Sequence, residues 1–395
     1  PPRVVSPPAA RTAVIAALSY AASFAALGAY GPFLALLLEA RGFAPGAAAL
    51  LLGGMQLVRV VSTPAWAFVA DARESAEDVV RVVSVGAFLA FAAVALPVGP
   101  ATLAVLLLLF ASLRAPASPL LDSIVLRWSA RTGRPFGLVR GAGTAGYTGG
   151  ALAVGLAVSR WGLGALVAIT AGLLALAAAA SFALPRARSS GRPPVSRAFA
   201  LLLARPRLRL FLATTTLHQV GLAPYDALFT AHLARRASPA VAGAAVALGT
   251  MAELAVMLFA SARVRALGPR RVLPVAYGAS ALRWLVMGTA EGAVPLVLVQ
   301  SLHAVSFGAF YLAGVALVDE EAPEAVRASA QGLFSSWCWG VSAALSLALA
   351  GALVPRIGLT GVFRVAASAS VLAMFLARSL ATSPIAAHGP SATRR

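Results

Sequence analysis

The chain has no lysine, one cysteine and 11% charged residues in a length of 395. With Cys338 alone, an intrachain disulfide is excluded. One cysteine and four dispersed histidines also leave no nucleophile or metal cluster, so neither intramembrane catalysis nor a bound cofactor is expected. Acids are scarce too: 13 carboxylates face 32 arginines, a net charge of +19. In a water-soluble protein that imbalance would point to nucleic acid. Here 60% of the residues are hydrophobic and the mean hydropathy is +0.85, which places the chain among polytopic membrane proteins. The arginines cluster in alternate loops, as the positive-inside bias requires, so they speak for membrane orientation and against a nucleic-acid partner. A cleaved secretory signal is not expected, because the apolar run after the proline-rich first ten residues is too long for one.

Twelve apolar runs are long enough to span a bilayer: 13–38, 47–70, 78–97, 101–128, 137–159, 162–184, 209–233, 241–264, 271–290, 293–318, 327–353 and 358–380. The longest polar interval, 185–208, carries Arg186, Arg188, Arg192, Arg197, Arg205 and Arg207 among serine, glycine and proline, and reads as a cytoplasmic linker. Arg127, Arg131 and Arg134 after the fourth run, and Arg263, Arg265, Arg270 and Arg271 after the eighth, fall on the same side. Both termini are then cytoplasmic, in a cytoplasmic (inner) membrane. The pentapeptide Ser159-Arg160-Trp161-Gly162-Leu163 has a counterpart in Pro355-Arg356-Ile357-Gly358-Leu359, about half the chain later. The expected fold is an all-α membrane protein of twelve transmembrane helices in two six-helix repeats, 1–184 and 209–395, with a short cytoplasmic tail.

Ionised groups at membrane depth cost roughly 2.5 to 3.5 kcal/mol each on insertion scales, so they mark function or a structural ion network. Glu253, Arg283 and His303 lie near the middle of three consecutive runs and can converge. In the first half, Arg59 and Arg114 lie mid-span with no acid at their level. Asp122 and Arg140, nearer the cytoplasmic ends of the fourth and fifth runs, are expected to pair. Polar and aromatic stripes at helical spacing accompany these groups: Gln56, Arg59 and Thr63; Arg140, Thr144 and Tyr147; His218, Tyr225 and Phe229; Gln300, His303, Phe307 and Phe310; Gln331, Ser335 and Trp339. Lipid-facing helices should not carry such stripes, and their presence in both halves implies a shared polar cavity. The glycines Gly141, Gly143, Gly146, Gly149 and Gly150 read as close helix packing, not as a phosphate cradle, because no strand precedes them.

These residues resemble a known family. The chain looks like a major facilitator superfamily transporter, and within that superfamily it resembles the proton symporters grouped around the phenylpropionate permeases, nucleoside symporters and lactose permease. Gly28-Ala29-Tyr30-Gly31-Pro32-Phe33, at the end of the first run, is similar to the start of lactose permease. Asp122, Phe136-Gly137, Arg140 and Tyr147 resemble its acid, arginine and aromatic substrate-site set. Glu253 after Met251-Ala252, Arg283, and Leu302-His303 match positions that serve proton coupling there. Ser306 stands where lactose permease carries its main proton-accepting glutamate, so coupling would pass to Glu253, His303 or Asp226. The signature between the second and third helices is reduced to Asp71 and Arg73, while Gly268, Arg270 and Arg271 keep its counterpart better.

The reading is a monomeric secondary transporter that moves a small organic solute by proton-coupled alternating access. Arginines at membrane depth outnumber the acids Asp122, Asp226 and Glu253, which tilts the solute towards an organic anion such as an aromatic carboxylate. A sugar or nucleoside is the alternative, with multidrug efflux third. Substrate contacts are expected from Arg59, Arg114, Asp122, Arg140, Tyr147, Tyr225 and Phe307, and proton coupling from Glu253, Arg283, His303 and Asp226.

Overall fold

A computed structural model describes residues 7–132, 136–184, 204–322 and 327–382, with the side chains of 7–13, 127–140, 328–329 and 381–382 outside the described set. Among the described residues the chain is helical throughout, with no strand. The first half comprises α1 (Pro7–Tyr30), α2 (Leu34–Ala40), α3 (Pro45–Ala72), α4 (Ala76–Ala92), α5 (Pro100–Arg114), α6 (Ala117–Thr132), α7 (Phe136–Trp161) and α8 (Gly164–Phe182). The second comprises α9 (Pro206–Ala234), α10 (Pro239–Ala255), α11 (Ser261–Leu267), α12 (Pro269–Thr289), α13 (Ala293–Leu298), α14 (Phe310–Glu321), α15 (Arg327–Ser336) and α16 (Ala343–Thr382), the last bent at Gly358. Each of the twelve apolar runs falls on helix. Among the described residues, seven helical segments are long and apolar enough to cross a membrane by length and composition, or eight if the bent pair α1 and α2 is one span. The others are diluted by polar groups: α9 alone carries Arg207, Arg209, His218, Gln219, Asp226 and His232.

Local chemistry explains the ends. Proline opens α3, α5, α9, α10 and α12, where its missing N–H costs nothing. Ser75 caps α4 by accepting from the Asp78 amide, and Ser238 caps α10 by accepting from that of Val241. Gly162 and Gly358, the glycines of the two matching pentapeptides, both take positive φ, 76° and 65°, so each half turns at the same sequence signal. The linker expected at 185–208 lies almost wholly outside the described residues.

Small residues let the helices close. On the seam between α1 and α7, a side-chain carbon at Gly28, Gly146 or Gly150 would overlap the backbone of Tyr147, Ala21 or Ala25 respectively. Gly141 and Gly149 face open space, so the packing expected of that glycine group is made by only part of it.

The two halves meet through α3 against α16 and α7 against α10. A Cβ at Gly46 would stand 2.7 Å from the Gly351 carbonyl oxygen, and one at Gly243 would stand 2.7 Å from that of Ala151 and 3.2 Å from Gly155 Cα. At the same end Arg235 pairs with Glu39 at 2.7 Å, the Ala240 amide donates to Ser159 Oγ at 2.8 Å, and Thr230 donates to the Pro32 carbonyl. This end, the outer one on the positive-inside reading, is therefore shut. Gly243→Val is expected to wedge it apart and destabilise the protein by about 1 to 3 kcal/mol. Thermal unfolding in detergent would show this, with Gly172→Val, whose Cβ meets nothing within 4 Å, as the unchanged control.

Candidate functional site

Arg283, on α12, is fully buried, yet a guanidinium cannot shed its charge, so its surroundings must satisfy it. Nε and Nη2 donate to Gln300 Oε1 at 3.1 and 2.5 Å. Nη1 contacts His303 Nδ1 at 2.9 Å and donates to Ser306 Oγ at 3.3 Å. The flat faces of the group lie against Tyr225, 3.9 Å from the ring centroid, and Trp284, 4.7 Å. Gly221 on α9 makes this possible: a side-chain carbon there would occupy the Trp284 indole and push α9, with Tyr225, away. Gln300 is oriented in turn, because its amide donates to the Leu296 carbonyl at 2.7 Å and so turns Oε1 to Arg283.

That geometry sets the tautomer of His303. Arginine only donates, so Nδ1 accepts and the ring hydrogen sits on Nε2. Nε2 faces Glu253 Oε2 at 3.5 Å. Glu253 on α10 comes this close because Gly308 is opposite it, where a Cβ would stand 3.3 Å from Glu253 Cγ, and because Gly249 makes the same room for His303 Cβ. The backbone is also unusual here. Ala304–Ala309 forms a π-helical turn, as do Val256–Ala260 three residues beyond Glu253 and Trp337–Ser342 on the facing helix. Such wide turns gather at functional sites because they re-aim side chains.

Aromatic rings complete the cluster. His303 and Phe307 stack with centroids 4.8 Å apart and planes 7° from parallel. Tyr311 continues the stack at 6.3 Å and 4°. Trp339 lies 5.4 Å from Phe307. Tyr147, from the first half, packs into the same apolar cluster as Tyr225, Phe307 and Trp339. Asp226 keeps an accessible surface and lies within electrostatic reach of Tyr147 and Arg283.

Seven of the residues expected from the sequence are thus brought together: Tyr147, Tyr225, Asp226, Glu253, Arg283, His303 and Phe307. The others form two separate places in the first half. Arg114 on α5 is buried and spends Nη2 on Ser23, 2.9 Å from its carbonyl and 3.0 Å from Oγ, with Ser118 Oγ at 3.4 Å from Nη1. Arg59 on α3 is exposed, donates to Gln56 Oε1 at 2.9 Å, and stands within electrostatic reach of Arg114. Asp122 on α6 accepts from Tyr20 Oη at 2.5 Å. Its expected partner Arg140 lies outside the residues whose side chains are described. Sequence reasoning missed Tyr20, Ser23 and Tyr311. Tyr20 and Asp122 are 102 positions apart, a pairing that no local pattern signals.

Comparison with known proteins gives one consistent outcome. The model of the MFS_1 like family matches residues 15–365. The chain is 26% identical over 371 residues to the "Probable 3-phenylpropionic acid transporter" of Escherichia coli (strain K12), covering 91% of this chain and 96% of that protein. Among solved structures, the nucleoside transporter NupG superposes with a TM-score of 0.81 at 19% identity, covering 96% of this chain and 100% of that one. The POT family transporter PepTSo superposes with a TM-score of 0.74 at 13% identity, covering 96% of this chain and 98% of that one.

Proposed function

The chain belongs to the MFS_1 like family, a family of secondary transporters, and we propose that it carries an organic anion, an aromatic carboxylate in the first instance, across the cytoplasmic membrane in exchange between two inward- and outward-facing states driven by protons. In this reading the monomer is the working unit, with both termini in the cytoplasm.

The observation that carries the anion is the pair Arg59 and Arg114. Two guanidinium groups on neighbouring helices lie within electrostatic reach of each other, and the partners of Arg114 are neutral. A ligand carboxylate would relieve that repulsion, and the exposed fork of Arg59 suits it bidentately. The name of the phenylpropionic acid transporter supports the same solute class. A nucleoside is the second reading, supported by the likeness to NupG and by the exposed Asp226 carboxylate, which can accept from sugar hydroxyls.

The proton site in this reading is the Glu253 carboxylate. Arg283 stays charged, and His303 already uses Nδ1 to accept from it, so a second ring proton would have to displace that contact. His303 then holds Glu253 in register with the buried charge. A proton on Glu253 cancels its attraction for that charge and biases which side of the membrane the cavity faces.

The test is a parallel measurement with a carboxylate and its neutral amide. Arg59→Gln and Arg59→Lys should both lose carboxylate uptake on the order of tenfold or more, since lysine keeps the charge but loses the fork. Equal handling of 3-phenylpropionate and 3-phenylpropionamide by the unmodified protein would put the nucleoside first.

A further inference from the structure

Resting on the carboxylate reading, we infer that Asp226 receives a positively charged nitrogen at the far end of the solute. The substrate class is then an aryl carboxylate that also bears an amine, a zwitterion with its two charges at opposite ends.

Asp226 lies on α9, about 12 Å along the helix from its end at Ala234. Its neighbours on the helix surface, Leu222, Ala223, Tyr225, Ala227, Phe229 and Thr230, are all buried, yet Asp226 itself keeps an accessible surface. A lipid-facing stripe would expose the residues three and four positions away as well, so this opening is turned inwards. It is turned to the first half. Thr230, one turn on, donates to the Pro32 carbonyl, and Ala223 and Ala227 pack into the core that includes Ala26 and Ala29 of α1 and Leu34 of α2. Asp226 therefore looks into the space between the halves, just beneath the shut end.

A carboxylate at this depth needs a counterpart, and the chain gives it none. Among the described residues Asp226 makes no hydrogen bond and no ion pair, whereas Glu253 faces His303 and Asp122 accepts from Tyr20. Arg283 lies within its electrostatic reach but directs its N–H groups to Gln300, His303 and Ser306. Two carboxylates, Asp226 and Glu253, then stand against one guanidinium, with His303 neutral. An ammonium group of the solute supplies the missing positive charge and donates hydrogen bonds to the free carboxylate, with both partners charged.

The place of Asp226 sets which end of the solute it meets. Arg114 has Tyr30 within electrostatic reach, Tyr30 has Tyr147, and Tyr147 has Asp226, so two side chains intervene between the arginine pair and this carboxylate. A solute that leaves its own carboxylate at Arg59 and Arg114 reaches Asp226 only with its opposite end. Bound in this way it is held by both halves at once.

The experiment uses the full chain in detergent and measures affinity for 3-[4-(aminomethyl)phenyl]propionate and 3-[4-(hydroxymethyl)phenyl]propionate, which share shape and carboxylate and differ in the charge at the far end. The aminomethyl acid should bind about tenfold more tightly. Asp226→Asn should bring the two acids within about twofold of each other, and Asp226→Glu, which keeps the charge, should retain most of the preference. Thermal unfolding checks that both variants fold. Equal affinities for the two acids in the unmodified protein, a comparison that needs no variant, overturn the nitrogen site and leave carboxylate transport standing. A full preference surviving in Asp226→Asn overturns the assignment to this residue. Binding of 4-phenylbutylamine with no binding of either acid overturns the carboxylate reading and the zwitterion with it.

Discussion

With Glu253 replaced by glutamine, uptake driven by a pH gradient should fall on the order of a hundredfold, while exchange of labelled for unlabelled substrate persists. The expectation follows from the arrangement of charge. Glu253 is the carboxylate facing His303, and His303 is tied to the fully buried Arg283. Tyr147 from α7, and Tyr225 from α9, stand within its electrostatic reach. Asp226 shares that neighbourhood, so it is the group that could substitute. Glutamine has the shape of the protonated acid and can still meet Nε2 of His303, so the site keeps its geometry but has no proton to exchange. Exchange needs only the substrate-loaded protein to reorient, and remains. Proteoliposomes with an imposed pH gradient, beside counterflow in the same vesicles, decide the matter. Full gradient-driven uptake by Glu253→Gln would remove this residue from the coupling role, and the same experiment on Asp226→Asn would then be the next to make.

Replacing Arg283 by methionine should have the largest effect on stability of any single change, about 3 to 5 kcal/mol. Four polar contacts from this one group serve Gln300, His303 and Ser306 in a region closed to water. Removing it leaves those acceptors without a donor, at about 1 to 3 kcal/mol for each buried group, and strips the cover from Tyr225 and Trp284. Lysine should recover only part, because one ammonium cannot reach all three acceptors and does not lie flat on the rings. Denaturation in detergent measures the loss. The sharper readout is the double variant Arg283→Met with Glu253→Gln: if Arg283 neutralises Glu253 through His303, the two losses should be less than additive. Strict additivity would mean that the two charges do not sense each other.

Much of this was open to reading in the chain itself, for reasons that can be named. A bilayer leaves no partner for stray backbone polar groups, so helix and span length follow from apolar runs alone, and every expected run is helical. The cost of charge at depth makes Glu253, Arg283 and His303 conspicuous in a background of leucine and alanine. Helical periodicity then shows that Phe307 shares a face with His303. The matching glycines after α7 and within α16 were visible as a repeated pentapeptide before their common positive φ was known.

What the sequence determined by itself is therefore the material: helices, the apolar runs of which seven or eight are long and apolar enough to cross a membrane among the described residues, and the charge carried by each loop, all of which depend on a residue and its near neighbours. Who meets whom was decided only in three dimensions. Arg114 looked unpaired because its partner is a backbone carbonyl at Ser23, which every residue has and no sequence advertises. The three wide turns, the tautomer of His303 and the shut end at Gly155 and Gly243 arise from how closely the helices settle against one another. Those are properties of packing, where a missing Cβ on one helix sets the reach of a side chain on another, and no periodicity along the chain carries that information.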